Sequence, residues 1–218
     1  MNQKPIQYIQ HEAAFYKDIF YVDERVLIPR PETELLIDLV LDFAKNNPVK
    51  KIIDVGTGSG AIAITLALEL PDVEVTGTDI SVESLEVARL NAEKLGVSKR
   101  VTFIPGDLLD ASNESFNVIT ANLPYISRTR LDQLDPSVKF FEPMWALDGG
   151  EDGFEVYRRL IAQISKLKNK PKFCVFEIDD DQGEMAISEI EGSISNATDI
   201  QIHQDLSGLD RFVSFSLN

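Results

Sequence analysis

The chain has 218 residues, 44% hydrophobic and 26% charged, the balance of an ordinary globular domain long enough to bury one core. Its net charge of −15 argues against a nucleic-acid partner, because such affinity rests on Lys and Arg neutralising phosphates, and basic residues cluster no further than Arg158-Arg159 and the lysines of 166–172. No apolar run of about eighteen residues marks a membrane span, Met1-Asn2-Gln3-Lys4-Pro5 lacks a signal-peptide core, and the single Cys174 allows no internal disulfide and suits a cytoplasmic location. In chain order, Phe15 to Ile28 alternates like a hairpin set beside a main sheet. Residues 32–46 predict a helix with Leu35, Leu36, Leu39, Val40 and Phe43 on one stripe, ended by Asn46-Asn47-Pro48. From 51 to about 192, strand patterns (51–55, 73–78, 100–105, 116–121, 173–176) alternate with helical ones (60–70, 84–95, 153–168, 182–191). That alternation predicts βαβ units and a parallel sheet covered on both faces. Segments 199–203 and 211–217 have no helix between them, and the link 204–210 with Gly208 suits an antiparallel hairpin. The expected fold class is therefore α/β, doubly wound, with a mostly parallel Rossmann-like sheet, a C-terminal antiparallel hairpin and a small N-terminal β-hairpin. Residues 131–145 read as a loop over the site, with Trp145 as a packing anchor. The seven carboxylates between 177 and 191 read as a solvated helix face.

Chemistry concentrates at the carboxyl ends of the predicted strands, where open α/β sheets bind ligands. Strand 51–55 runs into Gly56-Thr57-Gly58-Ser59-Gly60, a turn that lets a ligand approach the backbone and exposes a helix N-terminus. Strand 73–78 ends in Asp79, about twenty residues on, where a carboxylate can hold ribose hydroxyls. Strand 100–105 ends in Gly106-Asp107. Strand 116–121 ends in Asn122-Leu123-Pro124-Tyr125. There the Asn122 side-chain oxygen and the Leu123 carbonyl can each accept one N–H of an NH2 group, Pro124 fixes φ and Tyr125 offers a face. Taken singly, the glycines suit a tight βα turn, Asp79 a helix cap, Asp107 a loop acid and the tetrad a plain turn. Four such features at four strand ends, in order, point to one nucleoside crevice. His11 and His203 lie outside these motifs and supply no general base.

These motifs together resemble the class I methyltransferases that use S-adenosylmethionine. Val26-Leu27-Ile28-Pro29-Arg30-Pro31-Glu32-Thr33-Glu34 narrows the likeness to the release factor glutamine methyltransferases, which methylate the Gln of a Gly-Gly-Gln loop. Gln7-Tyr8-Ile9, Glu142-Pro143, the run from Ala146 to Gly153 and the run from Asp205 to Phe212 are similar to the same family, so the likeness covers the chain from about residue 5. It implies a seven-stranded sheet, with 1–30 as an N-terminal hairpin and linker segment and 31–218 as the catalytic domain. It implies S-adenosylmethionine as cofactor, a peptide chain release factor as protein substrate, and no metal, membrane or direct nucleic-acid partner. Asn122, Leu123, Pro124 and Tyr125 would be catalytic. Gly56, Gly58 and Gly60 would pass the methionine end of the cofactor, Asp79 would hold the ribose and Asp107 would lie near the adenine. Asp54, Thr57, Ile80, Leu108 and Asn122 complete that set, and Pro29, Arg30, Glu32 and Thr33 border the cofactor or the Gln loop. Glu32 and Thr33 also suit plain helix capping.

Three departures stand out. Leu123 stands where the family has Pro, which keeps the carbonyl but gives up rigidity. Asp179 stands where the family usually has Gly. The helical domain that precedes the catalytic domain in the family, and helps grip the release factor, is not among these 218 residues. The alternative functions are methylation of an exocyclic amine of a nucleobase, which would need a basic face, and nucleoside binding without transfer. A Rossmann dehydrogenase fits the glycine spacing and the tetrad poorly.

Overall fold

The computed structural model describes residues 4–112 and 114–217. The reading of residues 1–3 as free of a leader core lies outside the described residues. A one-turn helix, α1 (Ile6–Gln10), leads into the hairpin β1 (Ala13–Phe15) and β2 (Asp18–Phe20). After a 3-10 turn at Pro31–Thr33 come α2 (Glu34–Asn46), β3 (Lys51–Val55), α3 (Ala61–Glu69), β4 (Glu74–Asp79), α4 (Val82–Lys94), β5 (Val101–Pro105) and β6 (Val118–Ala121). The short helices α5 (Arg128–Leu131) and α6 (Pro136–Lys139) precede α7 (Glu155–Lys166), β7 (Phe173–Glu177), α8 (Gly183–Ser193), β8 (Ala197–Gln204) and β9 (Asp210–Leu217).

Seven strands form the main sheet in the order β5-β4-β3-β6-β7-β9-β8. β3 to β7 are parallel, and β9 runs antiparallel to β7 and to β8. β6 and β7 are buried along their whole length, as parallel strands covered on both faces must be. Leu36, Ile64 and Leu85 of α2, α3 and α4 pack on one face. Tyr157, Leu160, Ile161 and Ile190 of α7 and α8 pack on the other. The buried residues of α7 recur at helical spacing, 157, 160, 161 and 164, which turns one stripe to the core. Cys174 is fully buried in β7. The chain steps outward from β3 to β4 to β5, then returns to place β6 on the other side of β3. That reversal opens a crevice between the carboxyl ends of β3 and β6. Ser81 caps α4 by accepting from Ser84 N at 3.1 Å, which orients the helix that follows Asp79.

Some expected boundaries move. The N-terminal hairpin stops at Phe20 rather than Ile28. Asp23 accepts from Arg25 N at 3.0 Å, an Asx turn that diverts the backbone from strand pairing. Tyr8 of α1, which the sequence did not predict as helical, is fully buried and donates to Val26 O at 2.6 Å. The helix expected from residue 32 begins at Glu34, because its first turn is the 3-10 turn. The stretch 131–145, expected as loop, contains α6 and the start of a 3-10 turn at Met144–Ala146.

Candidate active site

A cavity of about 350 Å3 occupies the crevice, within the size range of ligand sites. Gly56, Thr57, Gly58, Asp79, Ile80, Asp107, Leu108 and Asn122 line it, with Leu123, Pro124, Pro29, Arg30 and Thr33. Asp54, Gly60, Glu32 and Tyr125, expected in the same set, do not line it. Gly56 has φ 73°, a left-handed backbone that strains any side chain, and a Cβ there would also have to displace Leu123 Cδ2 at 2.7 Å, so the turn after β3 favours glycine. Gly58 N donates to Asp79 Oδ2 at 2.9 Å, and Ser81 N donates to Asp79 Oδ1 at 2.8 Å. Asp79 thus ties the turn after β3 to the turn after β4, and burial raises its carboxyl. Asp54 sits beneath the turn, fully buried. Its Oδ1 accepts from Thr120 Oγ1 at 2.9 Å, its Oδ2 has no partner among the described residues, and burial pushes it up to about 7. Gly60 is a packing glycine: a Cβ there would meet Ile64 Cδ1 at 2.9 Å. Asp107 pairs with Arg159, which also lines the cavity. Leu108 is held at φ 55°, a left-handed conformation that costs a non-glycine residue energy and clusters at ligand sites.

The tetrad is wired from behind. Asn122 Nδ2 donates to Glu177 Oε2 at 2.9 Å and to Thr33 Oγ1 at 3.2 Å. Thr33 Oγ1 donates to Glu177 Oε2 at 2.6 Å, and Tyr125 Oη donates to Glu177 Oε1 at 3.3 Å. Asn122 Oδ1 and Leu123 O accept nothing from the described residues. Leu123 keeps the N–H that a proline would lack, and that N–H donates to Tyr157 Oη at 3.0 Å. Tyr157 Oη in turn donates to the Glu177 carbonyl. The rigidity expected to be lost at Leu123 is therefore replaced by a hydrogen-bonded tether. Burial raises the Tyr125 and Tyr157 hydroxyls, so both stay protonated and able to donate.

The flanking motifs close around this wiring. Glu142 is buried, accepts from Ile28 N at 3.2 Å and pairs with Arg30 Nη2 at 2.5 Å. This fastens the 131–147 stretch to the segment carrying Pro29 and Arg30. Glu32 is exposed, while Thr33 reaches Glu177. Gly149 N donates to Ile126 O at 2.9 Å and Arg128 N to Gly150 O at 3.0 Å, so the run 146–153 cradles the tetrad's exit. Gln182 Nε2 holds the Tyr125 carbonyl at 2.9 Å. Asp179, the departure after Glu177-Ile178, pairs with Arg130 Nη1 at 2.6 Å. Trp145, expected as a packing anchor, is 50% exposed and lines the cavity instead, because the 3-10 turn that carries it sits on the rim. The acidic run from 177, expected as a solvated face, begins with a buried carboxylate at the end of β7. Glu177, Tyr157, Gln182 and Arg159 were not singled out from the sequence. For Glu177 the available signal was its place at a strand end, which the six carboxylates that follow it up to residue 191 masked.

Residues 46–204 match a family model described as a methyltransferase domain. The release factor glutamine methyltransferase of Chlorobaculum tepidum is 41% identical over 224 aligned residues, 98% of this chain and 75% of that protein. That of Bacillus subtilis is 39% identical over 217 residues, 96% of this chain and 74% of that protein. Among solved structures, the ribosomal protein L11 methylase from Lactobacillus delbrueckii subsp. bulgaricus matches with TM-score 0.62 and 23% identity, over 87% of this chain and 80% of that one. The N-terminal domain of human METTL16 in complex with SAH matches with TM-score 0.66 and 17% identity, over 91% and 75%. At these identities the structural likeness speaks for the fold alone.

Proposed function

The chain belongs to the release factor glutamine methyltransferase family, and on that premise we propose that it transfers a methyl group from S-adenosylmethionine to the side-chain amide nitrogen of a glutamine in a peptide chain release factor. The observation that carries the proposal is a pair of acceptors to which no described residue donates, Asn122 Oδ1 and Leu123 O, at the end of β6, on residues that line the cavity beside the glycine turn of β3.

The residues present fit the cofactor. Gly56 and Gly58 leave room for close approach to the backbone, and the carboxylates of Asp79 and Asp107 can accept from hydroxyl or amino groups. The cavity walls are otherwise largely apolar, with Val26, Leu27, Ile62 and Val156 among them. When bound, the cofactor supplies an electrophilic methyl group on a sulfonium centre that is already a good leaving group. The difficulty then lies with the acceptor, since an amide nitrogen has its lone pair delocalised into the carbonyl. Asn122 Oδ1 and Leu123 O would each accept one N–H of that amide. Both acceptors favour the positive charge that develops on nitrogen, so they stabilise the transition state more than the ground state, and the methylated nitrogen then loses one proton to solvent. Holding the amide in line supplies much of the remaining advantage, up to roughly 7–11 kcal/mol for well-aligned reactants. Pro124 fixes the turn, and Tyr125, turned away from the cavity, supports the tetrad through Glu177. Asp54 acts from beneath the glycine turn and Gly60 by packing α3. On this reading residues 31–218 form the catalytic domain, and Phe15, Val26, Leu27 and Pro29 of the preceding segment line one wall of its cleft. The Gly-Gly-Gln loop is the expected target, and the reaction belongs in the cytoplasm. Among the described residues no helix is long and apolar enough to cross a membrane.

Mass spectrometry of a purified release factor incubated with this protein and S-adenosylmethionine tests the proposal. A single added methyl on the Gln of its Gly-Gly-Gln loop is the expected result. No added methyl, with cofactor binding established by calorimetry, would overturn the substrate assignment, and methylation of DNA or RNA in the same assay would replace it.

A further inference from the structure

Three side chains distant in sequence converge on one carboxylate behind the tetrad. Asn122 and Thr33 donate to Glu177 Oε2, and Tyr125 donates to Oε1. Glu177 is 1% exposed and does not line the cavity, so it touches nothing bound there and is no general base for a substrate. Its ionised form accepts hydrogen bonds and donates none, so Asn122 Nδ2 and the Thr33 and Tyr125 hydroxyls all donate to it, and Asn122 Nδ2 donates to Thr33 Oγ1 as well. An asparagine amide has nearly the same shape with its oxygen and nitrogen exchanged, and its partners decide which end faces where. A neighbour that only accepts must be faced by the NH2.

Resting on the proposed reaction, we infer that Glu177 is a positioning residue that holds the Asn122 amide with Oδ1 toward the cavity, the orientation in which Asn122 can accept an N–H from the acceptor amide. A protonated Glu177 carries an O–H that can donate to Oδ1. The amide is then free to turn and present its NH2 to the cavity, donor against donor. The groups that face Glu177 bear on this switch. Arg211 from β9 favours the charged form, Glu32 from the 3-10 turn opposes it, and the Thr33 and Tyr125 hydroxyls stabilise it. The Tyr157 hydroxyl from α7 bonds the backbone carbonyl. Burial outweighs the stabilising groups and pushes the carboxyl up to about 7. The active orientation is therefore populated above that value and lost as the pH falls through it.

The test compares wild type with Glu177→Gln across neutrality by three readouts. These are kcat for release-factor methylation, cofactor affinity by calorimetry, and the side-chain NH2 resonances of Asn122, assigned by their loss in Asn122→Ala. Wild-type kcat should fall on the acid side of about 7, with the Asn122 resonances shifting at the same inflection. Glu177→Gln should lose both inflections and roughly a hundredfold in kcat, the cost of a small misplacement of a reacting group, with cofactor affinity unchanged. A variant that keeps wild-type kcat and its acid limb overturns the inference, as do wild-type Asn122 resonances that do not titrate. The resonance titration needs neither substrate nor cofactor. It judges Glu177 even if the wild type methylates no release factor, which would count against the proposed function, and even if the variant fails to fold.

Discussion

On the β3–β4–β5 side the cavity wall is largely backbone and turn. Gly56 and Gly58 bring the main chain to the surface, and Asp79 binds two backbone N–H groups from neighbouring turns. On the β6–β7 side the wall is backed by a network in which Asn122, Thr33 and Tyr125 bond the Glu177 carboxylate and Tyr157 its backbone carbonyl. The first side takes its shape from local chain geometry, so it can receive a ligand with little preparation. The second fixes the direction of one polar atom, and that requires residues up to 144 positions apart in the chain. On the proposed reaction, binding and reaction fall to halves built by different means, and perturbing one should leave the other largely intact.

The largest separation is expected from Asn122→Ala. Turnover should drop by roughly 10²–10³, the usual cost of deleting one preorganised stabilising group, while calorimetry finds cofactor affinity near that of wild type. A comparable loss of cofactor affinity would merge the two halves. Asp79→Asn is the converse. It removes a charged acceptor worth about 1.5–3 kcal/mol and should weaken cofactor affinity roughly tenfold to a hundredfold, with kcat at saturating cofactor much less affected. The smallest effect sharpens the picture of the tetrad's tether. Tyr157→Phe strands the buried Leu123 N–H and should cost about 1–3 kcal/mol in denaturant unfolding. In that background Leu123→Pro removes the stranded donor, so it should cost less than it does in wild type. A double-mutant cycle with no coupling would mean that the Tyr157 bond does not hold Leu123.

How much was legible beforehand follows the same division. The strand-to-helix alternation and the glycine turn rest on local pattern, so β3, the C-terminal hairpin and the order of site-bearing strand ends could be read directly. Asn122 was legible because it follows a strand and precedes Pro124. Its partners were legible only in part, Thr33 through the family likeness and Tyr157 and Glu177 not at all. Thr33 sits in a stretch equally suited to capping a helix, Tyr157 repeats at the spacing of any core residue of α7, and Glu177 heads an acidic run. Only the pairing of β6 with β7, in the register Ala121 with Phe176, brings Glu177 beside Asn122. The hairpin overrun to Ile28 and the misreading of Trp145 have a related origin. In both stretches the alternation or bulk of apolar residues was real, but polar side chains set the course of the backbone: the Asp23 turn diverts it from strand pairing, and Glu142 ties the stretch that leads to Trp145 to Ile28 and Arg30.

Trp145 is the chain's sole tryptophan, and it stands on the rim of the cavity, half in solvent. The protein therefore carries one built-in optical probe at the mouth of its cleft. Its emission is uncontaminated by other indoles and places every change in colour or intensity at a known address. Entry of a ligand can be followed in real time on the unlabelled molecule.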